Sequence, residues 1–66
     1  MQLQVNGDVL DVPEAATVAT LLEQLAIRGR RVAVEVNEDI VPRSQHESHI
    51  LQPGDRVEVV HAIGGG

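Results

Sequence analysis

The sequence finishes on Gly64-Gly65-Gly66, and the reactive group that such an ending offers is a bare carboxylate. Glycine is entropically costly to order and buries nothing, so this run adds nothing to a core. It does leave backbone thin enough to thread a narrow site on another protein. Three extended residues span about 10 Å, at roughly 3.3–3.6 Å each, enough to pass from a domain surface into a partner's active site. A terminal carboxylate, with a reference pKa of about 3.3–3.7, is ionised at neutral pH. It is a poor acyl donor, because oxide does not leave. Attack of a carboxylate oxygen on the α-phosphate of ATP forms a mixed anhydride with AMP. A sulfur nucleophile then displaces AMP and leaves a C-terminal thiocarboxylate. That chemistry asks for no catalytic residue on the chain itself, so the tail implies a protein that carries a group on Gly66. A severed linker leaves the same kind of glycine run, which is the plainer reading.

The remaining polar groups offer less. Ser44, His46, Ser48 and His49 are close in sequence, but no apolar framework surrounds them to hold a nucleophile and an oxyanion hole. His46 and His49 have a spacing that suits one helical face and metal ligation. No third ligand is evident, and both are expected to be surface histidines on a solvated loop. His61 precedes the tail closely, either as a polar strand position or as a contact for a partner. No phosphate-binding glycine loop is present. Cysteine is absent, which excludes disulfides and thiolate metal sites.

A formal net charge of -5 argues against nucleic-acid binding, which needs clustered cations. It suits docking on a basic protein surface, where charge steering speeds encounter. All five cations are arginine, so no lysine is available for linking one copy to another, as a chain-forming protein tag requires. Arg28, Arg30 and Arg31 cluster, but without aromatic residues to stack bases they do not point to RNA. They are expected instead to oppose the negative end of a helix dipole. No apolar run approaches a membrane span and no signal peptide is apparent, so the expectation is a cytoplasmic protein, monomeric when free.

The 66 residues are expected to form a single domain, with residues 62–66 as a flexible extended tail. Without aromatic residues its core must come from Val, Leu, Ile and Ala. Met1 to Asn6 alternates apolar and polar as a half-buried strand does. Asn6-Gly7 is the strongest short hairpin signal, and Val9 to Val12 is the return strand, closed by Pro13. Thr17 suits the N-cap of a helix starting at Val18, with Val18, Leu21, Leu22 and Leu25 as its apolar stripe. That helix is expected to end near Arg28, with Gly29 as the left-handed residue after it. Arg31 to Val36 alternates again. Asn37-Glu38-Asp39 is a polar turn, Ile40-Val41 a short apolar pair, and Arg43 to Ser48 an irregular stretch with room for one helical turn. Pro53-Gly54-Asp55 is a firm turn before a last strand, Arg56 to Ala62. In that strand Val57 and Val59 face inward and Val60 outward. A hairpin, a crossing helix and further strands imply an α+β fold, with the helix on one face of a mixed sheet.

Three segments carry a resemblance over essentially the whole chain. They are Leu21-Leu22-Glu23-Gln24-Leu25, the run Val36-Asn37-Glu38-Asp39-Ile40-Val41-Pro42-Arg43, and Pro53 through Gly66 with its Gly-Asp turn, last strand and glycine end. Together they resemble the ubiquitin-like β-grasp sulfur carriers, the ThiS/MoaD family, and within it the carriers of thiamine biosynthesis. The resemblance implies a mixed sheet of four to five strands on one main helix, with the first and last strands parallel neighbours. It implies a carrier and not an enzyme. A ThiF-type adenylyltransferase using Mg-ATP would adenylate Gly66, and a cysteine desulfurase would ultimately supply sulfur. The carrier form would hold a covalent 1-thioglycine at Gly66. Thiazole synthase, ThiG, would take its sulfur to build the thiazole ring.

By pattern, Val60 and Ala62 should lie on the sheet face away from the helix and lead through His61 and Ile63 to the threading residues Gly64, Gly65 and Gly66. An apolar patch there would serve as a docking surface. Related readings are the small subunit of molybdopterin synthase and a carrier for another thiolation pathway such as tRNA 2-thiolation. From other classes come a ubiquitin-like protein modifier joined through Gly66 to target lysines, and a β-grasp binding module with an idle tail.

Overall fold

A computed structural model describes residues 1–27 and 31–61. Strand β1 (Gln2–Val5) and strand β2 (Asp8–Asp11) form the first hairpin. Asn6 and Gly7, at φ 48° and 88°, make the connection with the positive-φ turn that matches strand twist. Helix α1 (Val18–Gln24) follows, then strand β3 (Val32–Val36) and strand β4 (Asp39–Val41). A short 3-10 turn spans Arg43–Gln45, and strand β5 (Arg56–His61) comes last. The sheet has five strands in the order β2-β1-β5-β3-β4. β5 is parallel to β1 and antiparallel to β3. The expected α+β architecture, helix over mixed sheet, is the one that forms.

Alternation decides which side chains meet the helix. Leu3 and Val5, Val34 and Val36, and Val57 and Val59 point inward from the three central strands and are buried with Val18 and Leu21 of α1. Leu22 and Leu25 cover the rim of this core. The helix is only seven residues long, too short to be stable from propensity, so its ends matter. At the N-terminus Thr17 Oγ1 accepts the Thr20 N–H at 3.1 Å, as its sequence position suggests. The loop from β4 satisfies the other early donors: Val18 N–H donates to His49 O at 3.1 Å and Ala19 N–H to His46 O at 2.8 Å.

The C-terminus differs from expectation. The helix stops at Gln24, well before Arg28, and its last turn holds no basic residue. Arg31 stands beyond it, just before β3; Arg28, Gly29 and Arg30 lie outside the described residues. The left-handed residue is Ala26, at φ 57°. Its N–H donates to Glu23 O at 3.0 Å and the Ile27 N–H to Leu22 O at 2.9 Å, the paired bonds of a Schellman cap. Leu22 and Ile27, on either side of the cap, both pack on the core, and the cap forms without glycine. A left-handed alanine costs about 1–2 kcal/mol. Ala26→Gly is therefore expected to raise stability by about 1 kcal/mol after the greater freedom of the unfolded glycine chain is counted. In a domain of this size that is a rise of about 4–8 °C in Tm, and an unchanged or lowered Tm would exclude the strain.

Candidate functional site

The tail itself, Gly64, Gly65 and Gly66 with the docking candidates Ala62 and Ile63, lies outside the described residues. The structure does define the strand that leads to it. β5 sits at the centre of the sheet and is fastened on both sides by the asparagines of the two hairpin turns. Asn37, at φ 52°, opens the β3–β4 turn. It donates its N–H to Arg56 O at 2.7 Å and accepts the Arg56 N–H on Oδ1 at 3.0 Å. Its Nδ2 reaches Asp55 Oδ1 at 2.9 Å, while Asp55 Oδ2 accepts the Gln52 N–H at 2.8 Å. The Pro53-Gly54 turn ahead of β5 is thus tied to the β3–β4 turn. Asn6 does the equivalent further along, through the Val57 carbonyl and both backbone groups of Val59. Sequence reading recognises both asparagines as turn residues but not their grip on β5; their shared place at the head of a hairpin turn was the available signal.

Strand alternation places Arg56, Glu58 and Val60 on the sheet face away from the helix, as expected. Val60 is 58% exposed and faces Ala33 across the β3–β5 ladder. Glu58 stands directly opposite Glu35, which in turn neighbours Ile40 on β4. Like charges placed so cost a few tenths of a kcal/mol or more, a cost that a cationic partner would relieve. Arg56 meets Glu38 at 3.2 Å, an exposed pair of little energetic weight. The outward surface leading to the tail is therefore a small apolar step, Val60 with Ala33, bordered by carboxylates. His61 ends β5 opposite Val32 and is exposed; on alternation it belongs to the other face from Val60.

The histidine pair behaves differently from expectation. His46 is buried, at 8% exposure, rather than on the surface. The 3-10 turn carries it under the sheet edge, where its ring Nε2 lies 3.1 Å from Val41 O, and its own carbonyl caps α1. A histidine that satisfies two neighbouring elements in this way is structural. His49 is half-buried. Ser48 Oγ donates to Gln45 O at 3.3 Å and His46 Nε2 is engaged by Val41 O, so these two do not pair as a nucleophile and its base. Among the described residues no group of three His, Cys, Asp or Glu side chains could hold a metal ion. No helix among them is long and apolar enough to cross a membrane.

Comparison with known proteins gives a consistent result. The ThiS family model matches residues 2–66. The sulfur carrier protein ThiS of Escherichia coli is 39% identical over 66 residues, covering all of both chains. A thiazole synthase of Paramagnetospirillum magneticum is 41% identical over the same length, but this chain spans only 20% of that protein. The crystal structure of the thiamine biosynthesis protein (ThiS) from Geobacter metallireducens superposes with a TM-score of 0.82 at 33% identity, over the full length of both chains.

Proposed function

The chain belongs to the ThiS family, and from that premise we propose that it works as a sulfur carrier in thiamine biosynthesis, with the Gly66 carboxylate as its working group. It is a carrier and not a catalyst. An adenylyltransferase of the ThiF type joins a Gly66 oxygen to the α-phosphate of Mg-ATP and releases pyrophosphate. A sulfur nucleophile, drawn ultimately from a cysteine desulfurase, then attacks the Gly66 carbonyl carbon, and AMP leaves. The resulting thiocarboxylate gives its sulfur to the forming thiazole. The observation that carries this reading is the family match through residue 66, joined to whole-chain likeness to the Escherichia coli carrier. A carrier-like segment within a thiazole synthase supports that enzyme as the acceptor.

Intact-mass spectrometry tests the reading. The chain is incubated with the adenylyltransferase, ATP, the desulfurase and cysteine. The expected result is a mass gain equal to exchange of one oxygen for sulfur, lost when ATP is omitted. An unchanged mass with an adenylyltransferase shown to be active would overturn it.

Docking through the outward face has its own test. Val60→Asp adds a charge to the apolar step beside Glu58 without touching the core. It is expected to leave the Tm within a few degrees and to raise the KM for adenylation about tenfold, the loss of one well-packed interface contact. A folded variant with unaltered KM would remove Val60 from the interface, and with it the case for Ala62 and Ile63 as its continuation.

A further inference from the structure

β1 ends at Val5, whereas β5 runs on to His61. On its β3 side, each residue of β5 from Val57 to His61 has a partner. On its β1 side the ladder ends where Val5 faces Val57. In a parallel pair, a residue that donates its N–H to a carbonyl of the neighbouring strand also accepts, on its own carbonyl, the N–H two residues further along that strand. Asn6 retains the first half, donating to Val57 O at 2.9 Å. Its positive φ takes it out of the extended conformation that continues a ladder, and the β1–β5 pairing ends at Val5. The side chain supplies the second half: Oδ1 accepts the Val59 N–H at 2.9 Å, and Nδ2 lies 3.4 Å from Val59 O. The carboxamide stands where the next peptide group of β1 would have been. Among the described hydrogen bonds it is the last on that side of β5.

We propose that Asn6 is a positioning residue for the adenylation of Gly66, its carboxamide fixing the line along which β5 delivers the tail. The inference rests on the function proposed above. Its leverage is geometric. The direction of β5 at Val59 sets the point and heading from which the tail must start toward a partner's site. Misplacement on the order of 1 Å can cost a transfer reaction up to about a hundredfold.

Asn6→Gly isolates the carboxamide, because glycine accepts the positive φ without strain and keeps the turn. Asn37→Gly is the matched control: the same substitution in the other hairpin turn, releasing the start of β5 instead of its end. Both are assayed with the full chain and the adenylyltransferase, by pyrophosphate release. Asn6→Gly is expected to lower kcat about tenfold with KM unchanged, within the range of misplacement effects, and to speed amide exchange at Val59. Asn37→Gly is expected to keep kcat. Wild-type kcat in Asn6→Gly, unchanged exchange at Val59, or an equal kcat loss in Asn37→Gly overturns the positioning role, the last by reducing it to general stability. A wild-type chain that is not adenylated removes the function itself and the positioning with it, an outcome distinct from an Asn6→Gly variant as active as wild type.

Discussion

Leu21→Ala is expected to cost about 3 kcal/mol, within the usual range for a fully buried leucine. Leu21 has 0% exposure and sits among Leu3, Val18, Val34 and Val57 where helix meets sheet. A chain of this length has roughly 3–10 kcal/mol of stability in total, so one substitution removes a large part of it. No aromatic ring or disulfide is present to compensate, and the surrounding β-branched side chains are stiff and cannot swing into the space. A Tm lowered by about 12–24 °C is expected, with the urea midpoint displaced and the m-value retained. The molecules that remain folded should be adenylated at the wild-type rate. A fall of less than about 5 °C, roughly 1 kcal/mol, would mean that the helix does not rest on the sheet through Leu21.

Gly65→Val reverses that pattern. Under the proposed function, the segment before the carboxylate has to pass through a channel shaped for bare backbone, and a β-branched side chain also narrows the backbone conformations available. The expectation is a Tm unchanged within error and a loss of adenylation of at least about a hundredfold, or about 2.7 kcal/mol in transition-state stabilisation. Pyrophosphate release and intact mass both report it. Turnover near the wild-type rate would show that the glycines are not selected for thinness, and the threading argument would have to be given up.

How far the sequence revealed this molecule depends on whether a signal was local. Asn6-Gly7 specified its hairpin because both residues tolerate positive φ. Alternation in Val32–Val36 and Arg56–His61 told correctly which side chains face the helix, and so placed Val60 outward. Alternation says nothing of which strand lies beside which. The parallel contact of β1 with β5 came from the resemblance of the turns and the glycine end. The helix terminus was misplaced because Gly29 advertises a cap, whereas the real one uses Ala26, held by hydrogen bonds, with Leu22 and Ile27 each packed on the core. Glu38, at φ 74° in the second hairpin turn, is similarly silent in composition. His46 looked like a surface residue because its burial depends on the Val41 carbonyl, which a local pattern does not disclose. Of the candidate site, the outward face was legible, whereas the tail lies outside the described residues. The carboxamide that extends β1 along β5 was not legible, since it replaces backbone with side chain.

The strand order also has a consequence for how the molecule comes into being. Within the sheet, β5 alone joins the β1–β2 hairpin to the β3–β4 hairpin, and it is the last described element to leave the ribosome. Until translation passes residue 61 the two hairpins share no ladder, and early strands must wait for a partner more than fifty residues downstream. Folding therefore follows synthesis of the whole sheet rather than accompanying it, with the slowness that distant pairings bring. A nascent chain cut short before β5 lacks the central strand and the glycine end together. Termination before β5 thus yields an unpaired fragment open to proteases and not a folded body.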